Sequence, residues 1–313
     1  MKKVVKTLLL AVFGIGAIAP VFASESAGQA GAYLKMGVGA RAIGMGSAFT
    51  AVANDSTAAF WNPAGLAKLK DSEASFMHAN LTDDRDYNFL NYAHRLNKNG
   101  KDNGTVAISH IRFGIDGIPE TREHQDGTGA WVPDTDAAGN VKIYGYFEDK
   151  ETETFVSYGR KVSDKFYAGA NLKYLDHKLF NAGAHSWGLD FGFMYDCNEK
   201  TTLGLSVRDI GESMDWSTGA KDDVPVTTTF GVAHKYNDKL LISADLNKVK
   251  DMDLKLFAGI EYKIHDKVDL RIGSHDKDLT LGASFKLDTW RFDYSYADET
   301  LGDAHRISAS KTF

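Results

Sequence analysis

Cysteine is almost absent from this sequence, because Cys197 is the only one among 313 residues. A single thiol cannot form an intramolecular disulfide, so no disulfide framework supports the fold. Cys197 lies in a short polar segment, residues 196–200, with no histidine next to it in the sequence. A catalytic thiol needs a base beside it, and we therefore interpret Cys197 as an ordinary turn residue.

Long hydrophobic runs are also missing from most of the chain. Beyond Ala23 no window holds a dozen consecutive apolar residues, which excludes transmembrane helices. The one apolar run, residues 8–21, follows Lys2, Lys3 and Lys6. A membrane anchor is the alternative, but a spanning helix needs ~20 apolar residues. We therefore predict a secretory signal peptide over residues 1–23.

An excess of positive charge is lacking as well. The chain has 36 basic and 42 acidic side chains, and removing residues 1–23 takes away three lysines, leaving 33 against 42 and a net charge of −9. Nucleic acid is therefore not expected as a partner.

The motifs of common enzymes and metal sites are absent too. The sequence contains no His-Glu-x-x-His, no Cys-x-x-Cys, no Gly-x-Ser-x-Gly and no Walker loop. Residues 134–140 are oxygen-rich like a calcium loop but lack the closing glutamate. We expect no enzyme activity, catalytic residue, metal or cofactor. A lipid-modifying barrel remains a remote alternative, with His110 or His234 as the base, although no serine stands out beside either.

What the sequence does contain is alternation between apolar and small or polar residues. Seven segments after residue 160 show it, and each predicts a β-strand with one face toward an apolar medium. In the clearest segment two glycines, an aspartate and Met194 occupy the other positions. The apolar positions of that segment are Trp187, Leu189, Phe191, Phe193 and Tyr195.

Glycine and charged residues share one parity in these segments, and aromatic residues gather at the segment ends. Glycine weakens a strand that faces bulk water, whereas a crowded polar lumen gains from small residues that let neighbouring charges pair. Aromatic rings at strand ends are typical of membrane interfaces. The pattern therefore predicts an all-β fold, a transmembrane antiparallel β-barrel.

Fourteen segments qualify as strands, although the first three alternate poorly. They start near residues 72, 87, 105, 151, 166, 186, 201, 226, 240, 253, 268, 279, 290 and 304. Tight polar connections alternate with longer ones such as residues 114–150. Only the connection at 97–104 departs from this alternation, because it is long at a position where a short turn is expected. Short periplasmic turns and long extracellular loops are typical of bacterial outer-membrane barrels. An even strand number then predicts both termini in the periplasm.

The chain ends in Phe313, which closes a final alternating segment. A terminal aromatic residue resembles the signal by which outer-membrane barrels are recognised for assembly. We expect the barrel-assembly machinery and outer-membrane lipid as partners, in a Gram-negative-type bacterium.

Residues 24–71 differ from the rest because they do not alternate and are rich in glycine and alanine. Such a segment can pack inside another structure but cannot form a wide core of its own. N-cap candidates at residues 55–57 predict a short helix, which Asn62 and Pro63 would terminate. We predict that residues 24–71 form small helical pieces inside a barrel of residues 72–313.

Residues 37–55 and 61–66 resemble the N-terminal signature of the PorV/PorQ family, part of the wider group of FadL-like outer-membrane barrels, which have fourteen strands. The resemblance implies that the segment is a hatch, or plug, that blocks the lumen. It places the Asn-Pro-Ala element in that plug. The plug residues singled out in this way are Arg41, Gly44, Gly46, Asn62, Pro63, Ala64 and Gly65.

Arg41 is the charge that would anchor the plug to the lumen wall. A buried arginine among small residues needs an acidic partner, and the candidates of lumen-facing parity are Asp190, Glu261 and Asp293. The alternative places Arg41 exposed at the periplasmic mouth.

Two functions fit these observations. The FadL resemblance implies transport of hydrophobic or amphipathic compounds past a plug that shifts. The PorV/PorQ resemblance implies a type IX secretion accessory that engages cargo or translocon, with the long connection as docking surface. In either case we expect binding by apolar residues of that connection. They are Trp131, Val132, Ile143, Tyr144, Tyr146 and Phe147.

Overall fold

The structure is a computed structural model, and it describes residues 29–81, 85–98, 101–299 and 302–313. The predicted signal peptide, residues 1–23, lies outside the described residues.

Eighteen strands form in the described residues, and nearly all of them follow the alternating segments. In chain order they are β1 (Glu73–Asn80), β2 (Arg85–Lys98), β3 (Lys101–Thr121), β4 (Glu123–Gln125), β5 (Trp131–Pro133), β6 (Ile143–Lys161), β7 (Phe166–Leu179), β8 (Ala182–Asn198), β9 (Thr201–Ile210), β10 (Ser213–Trp216), β11 (Lys221–Asp223), β12 (Thr227–Lys235), β13 (Leu240–Val249), β14 (Leu254–His265), β15 (Val268–His275), β16 (Asp278–Leu287), β17 (Trp290–Glu299) and β18 (Gly302–Thr312).

Fourteen of these strands close into an antiparallel barrel. Each pairs with the next around the wall, and β1 pairs with β18 to complete the circle. The other four strands are outside the wall: β4 and β5 form a separate hairpin, while β10 and β11 extend from the edge of β8. The expected fourteen-stranded barrel is thereby confirmed.

Alternation determines which side chains face outward. In β7 and β8 the apolar residues Leu172 and Trp187 are 51% and 59% exposed, whereas Asp190 of the opposite parity is 3% exposed. Large apolar side chains continue around the outside of the barrel, as a band that only a lipid environment would cover favourably. No helix in the described ranges has the length and hydropathy to cross a membrane.

The two ends of the barrel differ in their connections. One end, the short-turn end, carries tight connections such as residues 162–165 and 288–289, together with Phe313. The β2–β3 connection is also one of these tight turns, because β2 continues to Lys98 and β3 begins at Lys101. The expectation of a long connection at 97–104 was therefore wrong.

The opposite end, the long-loop end, contains more strand than the sequence predicts. Residues 114–150 are strand over more than half of their length, because β3 continues to Thr121, β6 begins at Ile143 and the short strands β4 and β5 lie between them. Residues 177–185 are the end of a hairpin with only Phe180 and Asn181 between β7 and β8. Extended pairing satisfies backbone N–H and C=O groups that an irregular loop would leave to water.

The first three strands alternate poorly because large apolar residues lie on their inner face as well as on their outer face. Tyr87, Phe89 and Phe113 point into the lumen and are buried, while His78 and Arg112 are exposed on the outside. Apolar residues are favourable inside because the N-terminal segment packs there.

Four short helices form before β1. They are the 3₁₀ helices Ala32–Met36 and Pro63–Lys68 and the α-helical turns Ala40–Ile43 and Ala58–Trp61. The helix expected after residues 55–57 ends at Trp61, with Asn62 as its C-cap, as predicted. No side chain caps its N-terminus. Asp55 instead accepts hydrogen bonds from the amide and hydroxyl of Thr57.

Candidate functional site

The N-terminal segment runs through the lumen from one end of the barrel to the other. Gly31 lies against Val224 at the long-loop end, where Lys35 Nζ is 3.6 Å from the sulfur of Met252. At the short-turn end the carbonyl of Leu69 accepts a 2.8 Å hydrogen bond from Arg95. We call residues 29–69 the plug. The first described residues thus lie at the end opposite to Phe313.

A row of three glycines on the inner wall receives the plug. Gly159, Gly169 and Gly192 are cross-strand neighbours on β6, β7 and β8. A Cβ on Gly169 would lie 2.3 Å from the carbonyl carbon of Pro63, and a Cβ on Gly192 would lie 2.2 Å from the Asn62 side chain. Real side chains do not tolerate such distances, so the glycine row makes a groove for the backbone of residues 62–64.

The opposite wall approaches the plug in the same way. Gly259 and Gly273 are a cross-strand pair, and a Cβ on either would lie 2.2 Å from backbone atoms of Met45 or Gly46. Gly46 has a φ of 62°, in the left-handed region that favours glycine. Gly44 packs on Gly282, and Gly65 packs on Ala53 within the plug.

The expected reason for glycine in the lumen was therefore only partly right. Gly188 does leave room for Glu212, and Gly231 for Asp245. At the other positions glycine makes space for plug backbone instead of paired charges.

Asn62 makes three side-chain hydrogen bonds, two within the plug and one to the wall. Its amide nitrogen donates to the carbonyls of Thr50, at 2.9 Å, and Phe193, at 3.1 Å. Its carbonyl oxygen accepts from the amide of Ala64 at 3.2 Å and caps the helix Pro63–Lys68. Asn62 is fully buried, so each of these bonds replaces one that water can no longer make.

Arg41 lies in the lumen and makes a bidentate contact with Glu261 at 2.9 and 3.0 Å. It also contacts Asp55 at 3.0 Å. Of the three acidic candidates, Glu261 is therefore its direct partner. Asp293 belongs to the same network through other arginines, and Asp190 lies in a different cluster.

The contacts of Arg41 continue into a closed ring of six charges. Arg271 contacts Glu261 at 2.7 Å and Asp293 at 3.3 Å. Arg291 contacts Asp293 at 2.8 Å and Asp55 at 3.2 Å, which returns the chain of contacts to the plug. We call these residues the ion ring. Its three guanidinium groups and three carboxylates balance: Arg41, Asp55, Glu261, Arg271, Arg291 and Asp293.

A second buried cluster has an excess of negative charge. The ammonium of Lys173 lies within ion-pair distance of four carboxylates, which belong to Glu153, Asp190, Asp209 and Glu212. All five side chains are nearly inaccessible to solvent. We call this group the Lys173 cluster. Of its members, only Asp190 is a candidate that the sequence alone singles out. Gly188, the cross-strand partner of Lys173, leaves space for the Glu212 side chain.

The apolar residues expected to form a binding loop do not converge on one site. Trp131 and Val132 lie on β5, in the hairpin above the barrel, and the others lie on β6. Tyr144 packs beneath Arg122, at 4.4 Å, and donates a hydrogen bond to Asp134. This bond and the contact with His124 hold the pKa of Asp134 below its usual value. Phe147 packs instead on Phe180, with ring centroids 5.2 Å apart, at the side of a shallow cleft.

The remaining candidates lie on the barrel wall. Phe313 is exposed, its amide donates to the carbonyl of Ser72 at 2.9 Å, and its ring lies 6.3 Å from that of Tyr92. Its role in assembly stays a prediction. His110 contacts Thr154, and His234 contacts Thr201, so within the described residues neither histidine is hydrogen-bonded to a serine.

A closed fourteen-stranded barrel whose lumen is filled by its own N-terminal segment has known counterparts among solved structures. The Ralstonia pickettii toluene transporter TbuX matches with a TM-score of 0.58 and 16% identity, covering 88% of this chain and 98% of that one. The fold is that of the FadL-type barrels. The Pseudomonas putida toluene transporter TodX has a TM-score of 0.61 at 15% identity, again over 88% and 98% of the two chains. A Pseudomonas aeruginosa FadL homologue has a TM-score of 0.59 at 13% identity, with the same coverage.

Family models match two separate parts of the chain, each less than half of it. The model of an uncharacterised protein family, UPF0164, matches residues 21–143, and that of a family of unknown function, DUF5723, matches residues 174–287. No curated protein matches the chain. At identities this low, the similarity to FadL-type barrels establishes the fold alone.

Proposed function

We propose that this protein is a non-enzymatic barrel of the outer membrane of a Gram-negative-type bacterium, and that it carries hydrophobic or amphipathic compounds across that membrane. The observation that supports this most strongly is an apolar lumen on one side of the plug. A water-filled pore has a polar interior, whereas the inner faces of β1, β2 and β3, together with Phe155 of β6, carry large apolar side chains. An apolar lining favours apolar solutes.

This apolar lining meets the plug at Tyr33. The ring of Tyr33 stacks on Phe113 with centroids 5.8 Å apart and meets Tyr87 edge-on at 6.5 Å. Phe89, Ile111 and Phe155 continue the same buried cluster along the wall. An apolar compound entering from the long-loop end would therefore replace plug contacts with contacts of similar chemistry.

We place the short-turn end in the periplasm and treat residues 24–71 as the plug unit and 72–313 as the barrel unit. In the closed state the plug is packed against the wall on opposite sides of the lumen, at the glycine row and at Gly259 and Gly273. A transported compound can therefore pass through the lumen only when the plug is displaced.

A disulfide between plug and wall tests this proposal. Ser56 Oγ of the plug lies 2.9 Å from Ser75 Oγ of β1, so replacing both serines by cysteine places two sulfurs within reach of a bond of ~2.05 Å. The pair S56C/S75C is made in a C197S background. Uptake of a radiolabelled aromatic hydrocarbon and of a long-chain fatty acid is measured in a deletion strain carrying each variant.

Under oxidising conditions we expect uptake by the double-cysteine strain to fall to that of the deletion strain and to recover with reductant. S56C and S75C alone are the matched controls and should transport in both conditions. Equal uptake with and without the protein would contradict transport. Full uptake by the disulfide-linked barrel would contradict plug displacement only.

The second candidate function is that of a PorV/PorQ-type accessory of type IX secretion. The observation that favours it is the hairpin extension at the long-loop end, where Trp131 and Tyr146 are 67% and 70% exposed. Exposed aromatic residues are enriched at protein interfaces. Pull-down of the native barrel in mild detergent, compared with a W131A/Y146A variant, tests it. Identical recovery of secretion components or cargo with both, or none with either, would count against docking.

A further inference from the structure

Three potential metal ligands project from β6 and β7 toward the long-loop end of the lumen. Asp149 and Glu151 are two residues apart on β6 and therefore share a face, and His177 is the direct cross-strand partner of Glu151. One ligand atom from each of the three lies within 4.8 Å of the other two. Within the described residues this is the one group of three such ligands that meets this distance.

The contacts of His177 fit a site that closes around an ion. Its Nε2 lies 2.7 Å from Asp149 Oδ1, and its Nδ1 lies 3.8 Å from Glu151 Oε2. The two carboxylates thus face different ring nitrogens, whereas an ion binds one of them. Ligand atoms ~2.0–2.2 Å from one ion lie roughly 3.0–3.6 Å apart, so closing the site needs side-chain rotations that bring ligand atoms now within 4.8 Å of one another to that separation around one nitrogen. The Nδ1 atom is buried and has no hydrogen-bond partner among the described residues, so one ring nitrogen is unused by the protein.

The surrounding charge favours a cation. Lys173 of the same wall is already shared by four carboxylates, so one positive charge faces four negative ones there. Asp149 and Glu151 add two further acids, with side chains only 19% and 11% exposed. Buried carboxylates without balancing charge are costly, and a divalent cation offsets that cost.

We propose that Asp149, Glu151 and His177 bind a divalent transition-metal ion at the mouth of the lumen. One imidazole and two carboxylates are the donor set that suits Zn²⁺, Mn²⁺, Fe²⁺, Co²⁺ and Ni²⁺, and three protein ligands leave positions for water. The ring of Trp216 packs on His177 with centroids 4.9 Å apart and covers the site from the β10 side. The site does not depend on the transport function.

Cobalt binding tests the site directly. The untagged full-length barrel is folded in detergent, stripped with EDTA and titrated with Co²⁺ alone, followed by visible absorption, and Zn²⁺ is then added as competitor. We expect one equivalent of Co²⁺ to bind, Zn²⁺ to displace it, and H177Q and E151Q each to weaken the affinity roughly tenfold or more. Heat-modifiable mobility on gels identifies the folded variants.

H124Q is the matched control, because His124 also pairs with an aspartate, Asp134, at 2.5 Å but belongs to no such group of three among the residues that the structure describes. It should bind Co²⁺ as the wild type does. If H177Q does not fold, D149N and E151Q carry the test. The absence of a saturable Co²⁺ spectrum, or equal affinity in the wild type and the folded site variants, would overturn the proposal.

Discussion

At the scale of single residues, the two charged clusters of the lumen show opposite balances. The ion ring pairs each guanidinium with two carboxylates and joins the plug to β14, β15 and β17. Desolvating charges is expensive, so a ring with every group paired is tolerated where an unpaired charge would not be. The plug is therefore held in place by charge pairs as well as by packing.

Removing Arg41 should destabilise the closed plug. R41A leaves Glu261 and Asp55 with one guanidinium each, and we expect a loss of about 2–4 kcal/mol in the free energy of unfolding, with a smaller loss for R41K, which cannot make the bidentate contact. Urea unfolding in lipid vesicles measures it. R122A, which removes the exposed pair with Glu120, should cost no more than about 1 kcal/mol. Equal losses in R41A and R122A would argue against a structural ion ring.

The Lys173 cluster should respond asymmetrically to substitution. K173M leaves four buried carboxylates without their shared cation, and we expect a loss of about 3–5 kcal/mol or failure to fold. E153Q keeps the shape and removes surplus negative charge, so its stability should equal or exceed that of the wild type. The same urea titration compares them. A large loss of stability in E153Q would mean that the ion pair of Glu153 with Lys173 stabilises the fold by more than the burial of the Glu153 charge destabilises it.

At the scale of elements, the glycine row is the feature that lets a strand wall and a plug approach each other. Gly159, Gly169 and Gly192 lie on three neighbouring strands because the hairpin turns put them in register. Glycine weakens an isolated strand, but here the missing side chains admit the backbone of residues 62–64.

Filling the row should displace the plug without breaking the barrel. G169A would place a Cβ 2.3 Å from the carbonyl carbon of Pro63, and we expect about 1–3 kcal/mol of destabilisation together with faster protease cleavage of the plug. G183A is the control on the neighbouring strand, because the closest atom to its Cβ would be 3.7 Å away. Wild-type protease resistance in G169A would show that the groove tolerates a side chain and does not seat the plug closely.

At the scale of the whole molecule, the outward apolar band determines where the barrel resides. Leu172 on β7 and Val141 above the barrel are similarly exposed, at 51% and 50%, yet only Leu172 lies within the apolar band. The same substitution at both positions separates lipid contact from simple exposure.

L172R should therefore destabilise the folded barrel in vesicles by about 2–4 kcal/mol, because arginine would face the hydrocarbon core. V141R should leave stability within about 0.5 kcal/mol of the wild type, as surface changes in water do. Folding yield and urea titration in vesicles provide the measurement. Similar behaviour of the two variants would contradict a membrane-spanning wall.

Much of the barrel was predictable because its signals are local. Alternation marks a strand and its two faces, and a tight turn sets the register of the hairpin around it: a turn centred on Asp164 pairs Glu151 with His177. The poorly alternating first strands were harder, because their interior is apolar where Tyr33 packs. That apolar inner lining depends on contact with the N-terminal segment, which is far away in the sequence from β3.

By itself, the sequence determined the approximate positions of the fourteen wall strands, the outward face of most of the wall and the separate character of the N-terminal segment. Only the tertiary structure decided that Arg41 meets Glu261, that the lumen glycines receive plug backbone, and that Asp149 and Glu151 approach His177 beneath Trp216. The physical reason is distance along the chain. The alternation of apolar and polar residues is a pattern within one strand, so it is visible in the local sequence. Which side chains meet inside the lumen depends instead on how the barrel closes and on the path of the plug through it.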